Sequence, residues 1–100
     1  MRISFTQFMR PRGHQITVDI DRPEDIARKA RQLNDAGYVF EIEVLTTGEI
    51  SMEVVKSTDN EQVLANEICT NGPQVPICVD RMVNSAYEKI VKTRINKGHN

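Results

Sequence analysis

The stretch from Tyr38 to Val55, YVFEIEVLTTGEISMEVV, decides the fold, because it holds two alternating apolar and polar runs separated by a short turn. A three-residue loop from Thr46 to Gly48, with Gly48 in the left-handed conformation, joins such runs into an antiparallel hairpin. The register that this loop imposes pairs apolar residues with one another: Phe40 with Val54, Ile42 with Met52 and Val44 with Ile50. The sequence therefore predicts a β-hairpin with one apolar face.

The other face of this hairpin is acidic. The same register places Glu43 beside Ser51 and Glu41 opposite Glu53, and like charges directly across two strands are mildly destabilising. Either cations from elsewhere in the chain cover this face, or it stays negatively charged. Four glutamates are therefore candidate partner-binding residues: Glu41, Glu43, Glu49 and Glu53.

A helix precedes the hairpin, in the stretch DIDRPEDIARKARQLNDAG at residues 19–37. Asp21 is expected to be the N-cap, Pro23 lies near the first turn, and Gly37 ends the helix. One apolar stripe contains Ile26, Ala30 and Leu33, and the opposite face contains Arg28, Lys29 and Arg31. The sequence thus predicts an amphipathic helix with a basic side.

The first twenty residues read as another hairpin. Apolar and polar residues alternate on both sides of the tip RPRGH, at residues 10–14, where proline and glycine favour a turn. This tip is basic. Together with the basic side of the helix it forms a second candidate binding surface, for a partner or for nucleic-acid phosphates, made of Arg10, Arg12, His14, Arg28, Lys29 and Arg31.

The region after the central hairpin contains a polar run and a second helix. KSTDNEQ, at residues 56–62, is expected to be a surface loop, and VLANEICT, at residues 63–70, a short additional strand. From Pro76 onward apolar residues recur with helical spacing. The order ββαββ(β)α predicts one α+β domain over residues 1–100, with an antiparallel sheet and two helices packed on one of its faces.

Cys69 and Cys78 bracket the corner between the additional strand and the last helix. A structural zinc site needs four ligands, whereas this chain offers two spaced cysteines and histidines only at positions 14 and 99. A disulfide needs an oxidising compartment, which the lack of an export signal disfavours. No histidine lies near Cys78 in sequence to activate it as a nucleophile. The expected arrangement is two small buried apolar side chains, one at the strand end and one under the helix.

The composition excludes several functional classes. The formal net charge is -1, and no apolar run has the length of a membrane span. The charge divides into +3 for residues 1–32, -7 for residues 33–68 and +3 for residues 69–100. The sequence contains no phosphate-binding glycine loop, no G-x-S-x-G and no H-E-x-x-H. We therefore expect a cytoplasmic protein that has no catalytic activity and uses no metal or cofactor.

The sequence from Phe5 to Val83, nearly the whole domain, resembles a family of small phage and prophage proteins of uncharacterised function. The motifs that carry the resemblance are DRP, AGYVFEIEVLTTGEIS and NGPxVPxxVD, which mark structural turns and strands. In size and style the chain is also similar to the anti-CRISPR inhibitors. This resemblance implies a protein that binds and blocks a bacterial surveillance complex stoichiometrically.

Two other functions remain open at this stage. The basic surface would suit a nucleic-acid-binding accessory protein, whose binding falls steeply with salt. An exposed sheet edge or the last helix would suit a self-associating structural subunit, such as a homodimer. The acidic hairpin face favours the protein-binding hypothesis, since complementary charge speeds association between proteins.

Overall fold

The computed structural model describes residues 2–9 and 16–98, and the basic tip predicted at Arg10, Arg12 and His14 lies outside them. Five strands and two helices follow one another in the described chain. They are β1 Arg2–Ser4, β2 Thr17–Asp19, α1 Pro23–Asp35, β3 Tyr38–Val44, β4 Ile50–Lys56, β5 Asp59–Cys69 and α2 Val75–Gly98. The predicted α+β class is confirmed.

The central hairpin of β3 and β4 has the predicted register. Phe40 pairs with Val54 and Ile42 with Met52. Gly48 has a φ of 91°, and its amide donates to the Leu45 carbonyl at 2.9 Å. A side chain is strained in this conformation, so glycine is what allows the loop to close in three residues.

The polar run after β4 does not form the predicted loop. Lys56 already pairs with Asp59, so β4 and β5 form a second hairpin, and β5 is eleven residues long. Two register shifts, on either side of Val55, take up the extra residues of β5 as bulges. The Ser57 amide stabilises the turn between β4 and β5 by donating a hydrogen bond to the Gly37 carbonyl at 2.8 Å.

The strands are divided between two antiparallel sheets, one of β1 and β2 and the other with the order β3-β4-β5. An isolated parallel bridge between Met9 and Phe40 connects the chain after β1 to the outer edge of β3. At the opposite edge, Lys89 of α2 donates its ammonium to the Leu64 carbonyl of β5 at 2.6 Å. The two edges of the larger sheet thus each contact another part of the chain.

Both helices pack on one face of the three-stranded sheet. Helix α1 contacts β3, whereas α2 contacts β4 and β5, and the two helices contact each other. Pro23 is the first residue of α1, but the N-cap position is occupied by Arg22 and not by Asp21 as predicted. The glycine after α1, Gly37, has a φ of 95° and ends the helix as expected.

One hydrophobic core fills the space between the sheets and the helices. Phe5, Phe8 and Phe40 form its aromatic part, with ring centroids 5.4 to 6.1 Å apart. Leu33 of α1 and Met52 of β4 have no exposed surface. Because Ile42, Met52 and Val54 all face this core, the alternate residues of β3 and β4 lie on the far side of the sheet.

The corner between β5 and α2 contains both cysteines. Asn71 caps a short 3₁₀ turn, Gly72–Gln74, by accepting a hydrogen bond from the Gln74 amide at 3.2 Å. Cys69 and Cys78 are buried as predicted, but the expectation that they are separate thiols was wrong. They form a disulfide with their Cα atoms 6.3 Å apart, because the short corner after β5 places the first turn of α2 beside Cys69.

Candidate functional site

The acidic face, which we define as Glu41, Glu43 and Glu53, lies on the side of the sheet away from the helices. Glu41 is directly opposite Glu53, and Glu43 is opposite Ser51, as the register predicted. Glu43 is exposed, whereas Glu41 and Glu53 are half-buried. Three of the four predicted glutamates therefore lie side by side on two paired strands.

The fourth predicted glutamate, Glu49, lies apart from the acidic face, at the tip of the hairpin. Its carboxylate accepts a hydrogen bond from the Thr47 hydroxyl at 3.0 Å, and its carbonyl accepts from the Leu45 amide at 2.8 Å. These bonds fix the loop. Glu49 adds negative charge near the acidic face, but its contacts are those of a turn residue.

A shallow cavity of about 220 Å³ opens at the β3 edge of the acidic face. The three glutamates and Ser51 contribute its polar lining, and the nearly buried residues Met9, Phe40 and Ile42 complete it. The backbone of paired strands moves little when a partner binds, so the positions from which the three glutamates project are maintained. This geometry suits contact with a cationic surface.

The exposed part of β5 adds an apolar contact to this side of the sheet. Ile68 pairs with Ser51, which places it in the same row as Glu43. Its side chain is 55% exposed. An exposed isoleucine beside carboxylates is consistent with the apolar core and polar rim of protein interfaces.

Two of the three basic residues predicted on α1 are paired with one carboxylate. The guanidinium of Arg28 lies 2.8 Å from one oxygen of Asp25, and the ammonium of Lys29 lies 3.2 Å from the other. Lys29 also donates to the amide oxygen of Asn84 on α2. Arg31 is exposed on α1. Two of the three predicted helix cations thus serve the contact between the helices.

Tyr87 of α2 completes this contact. The Arg28 and Lys29 cations lie 5.7 and 5.5 Å from its ring centroid, within the range of cation–π attraction. Hydrogen bonds from Arg28 and Lys29 hold the pKa of the Asp25 carboxyl below its usual value. The amphipathic pattern of α1 identified the cations, but the sequence contained no signal for their partners on α2.

A larger groove of about 540 Å³ lies between the beginnings of α1 and α2. Its walls include Asp21, Arg22, Asp80 and Asn84, with the 61% exposed side chain of Ile77 at the α2 side. Its charged lining contains four aspartates and two cations, so both signs of charge are present and acidic groups outnumber basic ones. Within residues 2–9 and 16–98 no three histidine, cysteine, aspartate or glutamate side chains are arranged to hold a metal ion.

Neither helix, over the residues that the structure describes, has a stretch both long enough and apolar enough to span a membrane. A scan against protein-family models finds no match for this sequence, and searches of curated proteins and of solved structures find none either.

Proposed function

We propose that this protein acts by stoichiometric binding to another protein, through the acidic face of its three-stranded sheet. The observation that carries the proposal is the convergence of Glu41, Glu43 and Glu53 on two paired strands. The partner's surface would be rich in lysine or arginine, because such a surface is complementary in charge. No chemical step is required of the protein.

The target that we propose is a bacterial CRISPR surveillance complex, in the cytoplasm of the host cell. Such a complex must hold nucleic acid on positively charged surfaces. A small protein with fixed carboxylates would compete for such a surface by presenting negative charge in place of phosphates. This proposal keeps the phage-type role implied by the sequence resemblance.

The experiment measures binding of the purified protein to a purified surveillance complex by biolayer interferometry, and the effect on DNA binding by that complex. We expect the double variant Glu41→Lys with Glu53→Lys to lose binding, because two attractive charges become repulsive. The matched control is Asp35→Lys with Glu88→Lys, which changes the net charge equally at two exposed helix positions.

The control variant should bind as the unmodified protein does, apart from a modest decrease in association rate. If the unmodified protein does not bind any surveillance complex, the proposed target is wrong. If the acidic-face variant and the control variant lose affinity equally, the effect is one of net charge and the acidic face is not the contact surface.

The nucleic-acid alternative is less well supported, because Arg28 and Lys29 are engaged with Asp25. Duplex DNA added to the protein alone tests it in the same experiment. Binding that is lost on Arg31→Ala and falls steeply with salt would favour that alternative.

A further inference from the structure

The two sulfur atoms of the Cys69–Cys78 disulfide have chemically different surroundings. Cys78 is the fourth residue of α2, in the first turn, where the helix dipole stabilises a thiolate. One guanidinium nitrogen of Arg81 lies 4.0 Å from its Sγ atom. Both features favour negative charge on Cys78.

Cys69 has the opposite kind of neighbour. Its Sγ atom lies 3.9 Å from the backbone carbonyl oxygen of Gln74. A carbonyl oxygen carries partial negative charge, so it disfavours a thiolate at this position. The two halves of one disulfide therefore differ in how well each sulfur accepts the electron pair when the bond breaks.

We infer that the disulfide is a directional site of thiol exchange, at which a small thiol such as glutathione becomes attached to Cys69 while Cys78 leaves as the thiolate. A glutathione thiolate attacks the Cys69 Sγ atom, the bond between the two cysteines breaks, and its electron pair moves to Cys78. The sulfur with the more stable thiolate leaves faster, which sets the direction.

The mixed disulfide then reacts further by one of two routes. Another glutathione thiolate attacks the glutathione sulfur of the adduct, which releases oxidised glutathione and leaves two cysteine thiols. Alternatively, the Cys78 thiolate attacks Cys69 and re-forms the disulfide with loss of glutathione. The full reduction oxidises two glutathione molecules to one disulfide, so the electrons balance.

Access to Cys69 requires local movement, because both cysteine side chains are 1% exposed or less. The short segment 70–74, whose Gln74 carbonyl lies against Cys69, has only exposed residues and is held by the hydrogen bond between Asn71 and Gln74. A segment with so little buried surface opens more easily than the whole domain unfolds. An attached glutathione would keep it open, since the buried site has no room for it.

The exchange at this corner is independent of the proposed function. To test it, the oxidised protein is incubated with glutathione, quenched with acid, and its remaining thiols are alkylated. Cleavage after Glu67 and fragmentation by mass spectrometry then locate the glutathione. We expect the adduct mostly on Cys69, with the alkylated thiol on Cys78.

The variant Arg81→Gln removes the cation beside Cys78 and should shift the adduct severalfold toward an even distribution. Lys92→Gln, which removes an exposed cation further along α2, should leave the distribution unchanged. The distribution between two sulfurs does not depend on how often the segment opens, so any loosening of β5 by Arg81→Gln does not obscure the result.

Three results would overturn the inference. One is an adduct that is evenly distributed or located on Cys78 in the unmodified protein. Another is a distribution that Arg81→Gln does not alter. The third is a protein that forms no mixed disulfide until denaturant unfolds it.

Discussion

Glu53 combines a cost for the fold with a role in the proposed contact. Its carboxylate is opposite that of Glu41 across the β3–β4 pair, where like charges are unfavourable. Natural proteins retain such local conflicts where function requires them. A substitution of Glu53 should therefore change the stability of the fold and the affinity for the partner in opposite directions.

We predict that Glu53→Lys increases the free energy of unfolding by about 0.2 to 1 kcal/mol, because a repulsive cross-strand pair becomes an attractive one. Urea denaturation followed by circular dichroism measures this change. Glu88→Lys on α2 is the control, and it should change the stability by less than about 0.5 kcal/mol. A loss of stability on Glu53→Lys would show that Glu53 makes a favourable contact in the folded protein.

Asp25 has a different role, since it binds two cations of α1 that also contact α2. Arg28 and Lys29 each bind one of its carboxylate oxygens, and both lie beside Tyr87. The contact is partly exposed, so its energy is small in salt solution. The pH dependence of this contact therefore tests the charge of Asp25 more directly than its total energy does.

The contact between α1 and α2 should weaken in acid. Asp25 has a folded-state pKa below its ordinary value, mainly because of the hydrogen bond from Arg28. A depressed pKa contributes stability at pH values above the unfolded-state pKa, and this contribution is lost as the pH falls through the folded-state pKa. The groups of α2 that face this contact are Asp80, Asn84 and Tyr87.

We predict that Asp25→Asn removes part of the loss of stability below about pH 4, where free aspartate becomes protonated. Thermal denaturation between pH 7 and pH 2.5 compares the variant with the unmodified protein and with Asp35→Asn. The curves of the Asp25 variant and the unmodified protein should converge at low pH. A constant difference between them would show that Asp25 acts through packing and not through its charge.

At the scale of elements, the central hairpin was predictable and β5 was not. Alternation in β3 and β4 and the glycine at residue 48 define one register, and this register also placed Glu41, Glu43 and Glu53 together. Residues 56–62 show no such alternation. They include the turn before β5 and the bulged beginning of an edge strand, where the regular pairing is interrupted.

The contacts that depend on packing between distant elements were likewise beyond prediction from the sequence. The partners of Lys29 on α2 lie more than fifty residues away along the chain. The sequence placed Cys69 at a strand end and Cys78 at the start of a helix, but the disulfide between them was set aside on the argument about compartment and not on geometry. Asp21 was expected to cap α1, but the N-cap position lies one residue later, at Arg22.

For the molecule as a whole, the disulfide joins the sheet to the longest helix. Thiol exchange at Cys69 would break this cross-link. The ion pair between Arg81 and Glu67 would still connect the sheet with the helix. Both contacts connect β5 with the beginning of α2. The stability of the oxidised and the reduced protein should therefore differ, although the core is the same.

We predict that reduction lowers the free energy of unfolding by about 2 to 3 kcal/mol, as the loss of loop-closure entropy from a short cross-linked loop implies. The measurement is guanidinium denaturation of the oxidised protein and of the double variant Cys69→Ala with Cys78→Ala. Reduced protein with intact cysteines is the control for lost side-chain packing. If the oxidised and reduced proteins unfold at the same denaturant concentration, the cross-link does not restrict the unfolded chain.

The hydrogen bond from Lys89 to the Leu64 carbonyl has a consequence for behaviour at high concentration. An edge strand of eleven residues would offer a template for the growth of fibrils, in which each new chain adds one strand. Lys89 occupies one acceptor along that template, and the bulges bend the neighbouring part of β5 away from a straight ladder. The last helix therefore blocks one position of this edge against the addition of a further strand, besides covering the core.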